Sequence, residues 1–166
     1  MPATTPRGFP YPLPTEPVAE GAQAIRNLAE AIDTKEAGRE LGYAENPAAT
    51  IAAGVSEAAA AVVVTLAAIT FDGSPVRLDF GAAEVAATGA GFVCWLYLFD
   101  GGTSLGILGV VRNTNIAVSL SRRMTPAAGA HTYSVRASQS GGACSILGGA
   151  GGLGVRFPAW MRASRV

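Results

Sequence analysis

Five features of this chain carry residue types that could do chemistry. Gly102-Thr103-Ser104-Leu105-Gly106 matches the G-x-S-x-G pattern of a serine nucleophile. Such an elbow needs a strand before the serine and a helix after it, so that the hydroxyl stands clear of the backbone. Here the following Gly106-Ile107-Leu108-Gly109-Val110-Val111 reads as a second strand, so the segment is expected to be a hairpin. A triad would also need His131, the only histidine. Gly149-Ala150-Gly151-Gly152-Leu153-Gly154 matches the G-x-G-x-x-G turn that holds a dinucleotide pyrophosphate. That turn must open a helix inside a βαβ unit. Only twelve residues remain, beginning Val155-Arg156-Phe157-Pro158, so a Gly-rich loop is expected instead. With 21 glycines in the chain, both patterns arise readily by composition.

The remaining candidates are equally mild. His131 is expected to be a hydrogen-bonded side chain on a strand. Glu57, Asp72, Asp79, Glu84 and Asp100 are scattered, with no spacing that marks a carboxylate pair or a metal site. Cys94 and Cys144 each lie in an apolar stretch, and two ligands do not close a zinc site. Two buried free thiols are expected; a disulfide stays open, because spacing does not measure a Cα–Cα distance. The expectation is therefore no catalytic residue, no metal and no cofactor, in a protein that is not an enzyme.

The elements that carry these residues fall into two parts. Residues 1–17 hold six of the ten prolines. Proline fixes φ, removes a donor and extends its predecessor. An extended attachment arm is expected, with Phe9, Pro10, Tyr11 and Pro12 as the part that docks, in preference to a free tail. Residues 18–40 read as a helix with Thr15 as N-cap. Val18, Ile25 and Ile32 are spaced by seven and Leu28 lies between two of them, which makes a short coiled-coil-like seam. The alternative is a stripe packed on the chain's own domain. Residues 41–60 read as a linker.

From residue 61 to 166 the period changes to two. Val76, Leu78 and Phe80 alternate with Arg77 and Asp79, and the same pattern runs through 116–121 and 131–136. Turn signals at Asp72-Gly73, Asp100-Gly101-Gly102, Pro126 and Gly141-Gly142 separate the strands. Short strands at this spacing indicate a sandwich or barrel. Phe92 to Phe99 is apolar on both faces, although one face of an antiparallel sheet ordinarily meets water. A second copy over Phe92, Trp95, Tyr97 and Phe99 is the expected cover.

Composition agrees with self-association. Hydrophobic residues make up 49% and charged residues 14%, against a usual charged share of about 25%. The net charge is zero, divided as −3 over residues 1–50 and +3 over the rest. That division is too weak for nucleic-acid binding. No apolar run is long enough to span a membrane, and the first residues lack the apolar core of a signal peptide.

Two stretches resemble a known group. Gly8-Phe9-Pro10-Tyr11-Pro12, then Thr15-Glu16-Pro17-Val18-Ala19 and the helix through Ala31-Ile32-Asp33, resemble the opening of small bacteriophage virion proteins, the minor tail or tail-fibre proteins. Ala128 to Val135, Gly148 to Pro158 and Arg162 to Val166 resemble the C1q/tumour-necrosis-factor-like jelly roll. The resemblance implies an all-β antiparallel jelly-roll sandwich over residues 61–166 and a homotrimer. It also implies other virion proteins as partners through the arm, and a host cell-surface receptor as a further one. The location implied is the virion, assembled in the host cytoplasm, at the tail tip or a tail appendage. A capsid decoration protein or head fibre is the rival. No collagen-type Gly-X-Y repeat is present, so no such stalk is carried over.

Overall fold

The computed structural model describes residues 3–4, 10–11, 18–37, 40–87, 91–142 and 144–166, in two compact units that divide after Arg39. In the first unit, β1 (Ala3–Thr4) pairs antiparallel with β2 (Pro10–Tyr11), and α1 (Val18–Ala37) lies against β2. The helix is rich in Ala and Glu, which lose little on entering a helix, and no proline interrupts it.

Among its described residues, the second unit holds twelve strands. They are β3 (Glu40–Asn46), β4 (Thr50–Ala52), β5 (Ala61–Thr65), β6 (Ile69–Phe71), β7 (Val76–Ala87) and β8 (Val93–Asp100). β9 (Thr103–Arg112), β10 (Thr114–Met124), β11 (Gly129–His131), β12 (Tyr133–Ser140), β13 (Cys144–Leu147) and β14 (Ala159–Arg165) complete it. The long β7 is the centre of one sheet. β10 runs along one of its edges; β14 and then β13 share the other, and β3 and β4 pair outside them. The second sheet has the order β5-β12-β8-β9, and β6 pairs with β11.

The order identifies the architecture. Taken in chain order, the principal strands β3, β5, β7, β8, β9, β10, β12 and β14 divide into first-eighth-third-sixth and second-seventh-fourth-fifth. Two interleaved Greek keys of this kind make a jelly-roll sandwich. The all-β expectation holds, and the alternating segments at 76–80 and 116–121 are strands as the period required, whereas 131–136 divides at Thr132 between the end of β11 and the start of β12.

One boundary is corrected. Residues 41–60 were expected to be a linker, yet β3 and β4 lie within 40–52 and belong to the β7 sheet. Glu, Gly and Ala have low strand preference, but the ladder from β14 supplies partners for Glu40 to Asn46 and overrides it. The core lies between the sheets, with Phe80, Leu96, Tyr133, Val135, Ile146 and Met161 fully buried.

A second correction concerns the cysteines. Cys94 on β8 and Cys144 on β13 form a disulfide, with Cα atoms 5.6 Å apart, and both are buried. The bond joins one sheet to the other through the core. Free thiols were the expected state; the reason for the difference is tertiary, because only the stacking of the sheets brings 94 and 144 together.

Candidate ligand groove and assembly surface

The nucleotide and nucleophile patterns resolve as backbone features. Thr103 to Gly106 lies in β9, where Ser104 Oγ accepts a hydrogen bond from the Gly106 amide and Gly106 has φ 115°. The serine is tied into an irregular strand rather than presented by an elbow. Gly149 to Gly154 is a loop between β13 and β14. Its turn is held by hydrogen bonds from the Gly151 amide to the Arg156 carbonyl (3.0 Å) and from the Val155 amide to the Gly152 carbonyl (3.1 Å). Arg156 Nε donates to Glu84 Oε2 at 2.6 Å, which fastens the loop to β7.

His131 is satisfied on both nitrogens. Nδ1 lies 2.5 Å from Asp100 Oδ2, and Nε2 lies 3.1 Å from the Ala127 carbonyl. The ring stacks on Tyr133, with planes 4° from parallel. The Asp100 hydrogen bond raises the imidazole pKa above its ordinary value, against a smaller opposing effect of burial. Among the described residues, no three His, Cys, Asp or Glu side chains form a metal-binding group.

The expected seam and interface residues separate. Phe9 and Pro12 lie outside the described residues, as do the side chains of Pro10, Tyr11 and Val18. On α1, Ile25 and Ile32 are exposed and Leu28 is half-buried. On the outward face of β8, Tyr97 and Phe99 are 6% and 4% exposed within the single chain. Tyr97 Oη pairs with Ser138 Oγ at 3.1 Å, and the Arg136 guanidinium sits 4.1 Å from the Phe99 ring centroid. Trp95 is half-buried with Arg112 5.5 Å from its ring, and Phe92 is half-buried and packs against Gly142. Tyr97 and Phe99 are thus covered within the single chain. Arginine stems and rings supply part of that cover.

Apolar surface is left open elsewhere. β9 and β10 are the outer strands of the two sheets and are joined by the turn at Asn113. They expose Leu105 (47%), Ile107 (57%), Val110 (37%) and Ile116 (50%). These strands are ten and eleven residues long, and each has an unpaired backbone edge among the described residues.

A groove lies on the outer face of the other sheet. Register places Glu45, Trp160, Gly81 and Ser119 in one row across β3, β14, β7 and β10. The next row is Tyr43, Arg162, Asp79 and Ser121. Tyr43 and Trp160 are diagonal neighbours, with ring centroids 6.4 Å apart and planes 25° from parallel. Trp160 lies flat because Gly81 has no side chain: a Cβ there would come 2.4 Å from the indole nitrogen. Phe157 and Pro158 from the Gly-rich loop close one side, around a cavity of about 400 Å³.

Its electrostatics are one-sided. The Tyr43 hydroxyl donates to Glu45 Oε1, and that bond, with burial and the Glu45 charge, pushes the phenol up to about 12. Arg162 is engaged by Asp79 at 3.3 Å and sits 5.9 Å from the Trp160 ring. Burial pushes the Asp79 carboxyl up, but hydrogen bonds from Ser121 and Arg162 and the charge of Arg77 outweigh it and hold the pKa below the usual value.

Sequence reasoning missed this site. Tyr43 fell in the expected linker, and no aromatic cluster was legible in the turns. The available signal was alternation: Tyr43 with Glu45, and Trp160 with Arg162, each put an aromatic and a charge on one strand face.

No protein-family model and no curated protein matches the chain. Among solved structures, it is similar to the carbohydrate-binding module CBM6cm-2 of Cellvibrio mixtus lichenase 5A, in complex with cellotriose. The identity is 12%, over 80% of this chain and 95% of that one, with a TM-score of 0.33. It is also similar to the C-terminal CBM6 of LamC from Zobellia galactanivorans, at 14% identity over 73% and 90%, with a TM-score of 0.30.

Proposed function

We propose that this chain is a non-catalytic structural protein of a bacteriophage particle, a homotrimer that projects jelly-roll heads from the tail tip or a tail appendage. The first unit, with its prolines and helix, is the attachment element toward other virion proteins. The observation that carries self-association is the open β9–β10 edge. Natural sheets blunt long edge strands with charge, proline or a covering element, because unpaired donors and acceptors beside apolar side chains invite another chain. Here Leu105, Ile107, Val110 and Ile116 stay exposed on that edge. A contact between this edge of one copy and a different surface of the next is heterologous, and heterologous contacts that close make rings. The number three and the virion setting follow from the resemblance of the N-terminal and C-terminal segments. A capsid decoration protein would use the same head and differ in what the first unit grips.

The test is the mass of the full chain in solution by light scattering. Three chain masses are expected at micromolar concentration. Replacing Ile107 and Val110 together by Glu should return one chain mass with an unchanged circular dichroism spectrum. A single-chain mass for the unmodified protein would defeat the assembly reading.

A further inference from the structure

We propose that the groove over Trp160 and Tyr43 binds a neutral oligosaccharide, with pyranose rings stacked on the two aromatic faces and sugar hydroxyls donated to Glu45. The proposal stands apart from the assembly reading. It rests on four features of one surface.

The first is the platform. Tyr43 and Trp160 present two rings on one sheet face, 6.4 Å between centroids and with planes 25° from parallel. Such a surface is apolar enough to bury the C–H face of a sugar and flat enough to accept adjoining rings. The second is the floor. Gly81 and Ala83 place almost nothing above the backbone, so the rings define the bottom of an open groove with Phe157 at its side.

The third is the polar complement. Glu45 already takes one proton donor from the Tyr43 hydroxyl. A carboxylate has about four lone-pair sites, so it can accept further hydroxyl donors. Tyr43 stays protonated at any physiological pH and keeps Glu45 in place. A few fixed polar groups beside apolar walls are what a small-molecule site requires. The fourth is charge. Among the described residues the lining holds a carboxylate and no cation, and Arg162 beside it is engaged by Asp79. Phosphorylated or sulfated ligands are therefore disfavoured and neutral polyols favoured. An apolar strand edge from a second copy would bury the Glu45 charge with only the Tyr43 hydroxyl beside it and no counter-charge, which is costly.

The experiment follows tryptophan fluorescence of the full chain during titration with cellohexaose, whose equatorial linkages keep it flat. Trp95→Phe leaves Trp160 as the sole reporter. A saturable change is expected in that variant, with weaker binding of the curved maltohexaose. Glu45→Gln, at an exposed position, should raise Kd at least tenfold, and Trp160→Ala should abolish binding as read by calorimetry. No saturable response at millimolar cellohexaose would overturn the proposal. So would a response that Glu45→Gln and Trp160→Ala leave unchanged. If these substitutions alter the mass in solution while no sugar response exists, the groove is covered by another copy and the proposal fails.

Discussion

His131 and Asp100 join the end of β8 to β11, and their contact makes the stability of the head depend on pH. The hydrogen bond to Asp100 raises the folded pKa of His131 above the ordinary 6.5. The folded chain thus holds a proton that the unfolded chain releases first. The resulting stabilisation is complete below the unfolded value and declines as pH rises through the folded one. Urea midpoints should therefore fall on the alkaline side of pH 6.5, and Asp100→Asn should flatten that decline; an unaltered slope in the variant would remove the pair from the account. Carboxylates act at the other end. Hydrogen bonds from Ser74 and Arg165 lower Asp72 to about 2, so its contribution is present above 3.8 and disappears as pH falls through the lower value. The satisfied state of His131 was legible, since a lone histidine on an alternating segment has few other uses. The pairing of Tyr43 with Trp160 was not, because it needs the first and last strands of the head to become neighbours.

At the scale of elements, the Cys94–Cys144 bond links β8 to β13 and closes a loop with a sequence separation of 50. Chain entropy alone assigns such a loop about 4 kcal/mol, with measured losses commonly about 2–4. The paired substitution to Ala should lower the thermal midpoint of the head by about 10 °C. A dithiothreitol-treated sample should follow it, and a midpoint indifferent to both treatments would show that the thiols are unpaired in solution. The strands themselves were readable wherever one face is buried, as at Val76, Leu78 and Phe80, because a period of two then has to persist. β3 and β4 were unreadable for the converse reason. Their residues are mostly half-buried or exposed, with alanine and glycine among them, and their place comes from β14 and β13. The strand at 92–99 is apolar on both faces, and within the chain arginine side chains cover part of its outward face. Arg112 and Arg136 sit on neighbouring strands, and a linear pattern does not show which ring each will lie over.

For the whole molecule, the jelly-roll order makes the two ends of the head interdependent. β14 lies between β3 and β7, so the last strand carries the first into the sheet. Without β14, the lower half of β7 from Val76 to Gly81 loses its partner on that side, and β3 loses its ladder. Met161 and Ala163 also leave the core, and Trp160 leaves the groove. Burial of one large core side chain is worth about 2–5 kcal/mol, and a domain of this size has only about 5–15 kcal/mol in reserve. A chain ended after Pro158 is therefore expected to lose its cooperative thermal transition and its near-ultraviolet dichroism. By contrast, Arg165→Ala, which removes an exposed pair with Asp72 at 2.9 Å, should leave a sharp transition at nearly the same temperature, since surface pairs contribute little. A sharp transition in the shortened chain would mean that β7 and β10 hold the sheet without β14. The groove and the fold would then be separable, and loss of sugar binding on truncation could be read without loss of structure.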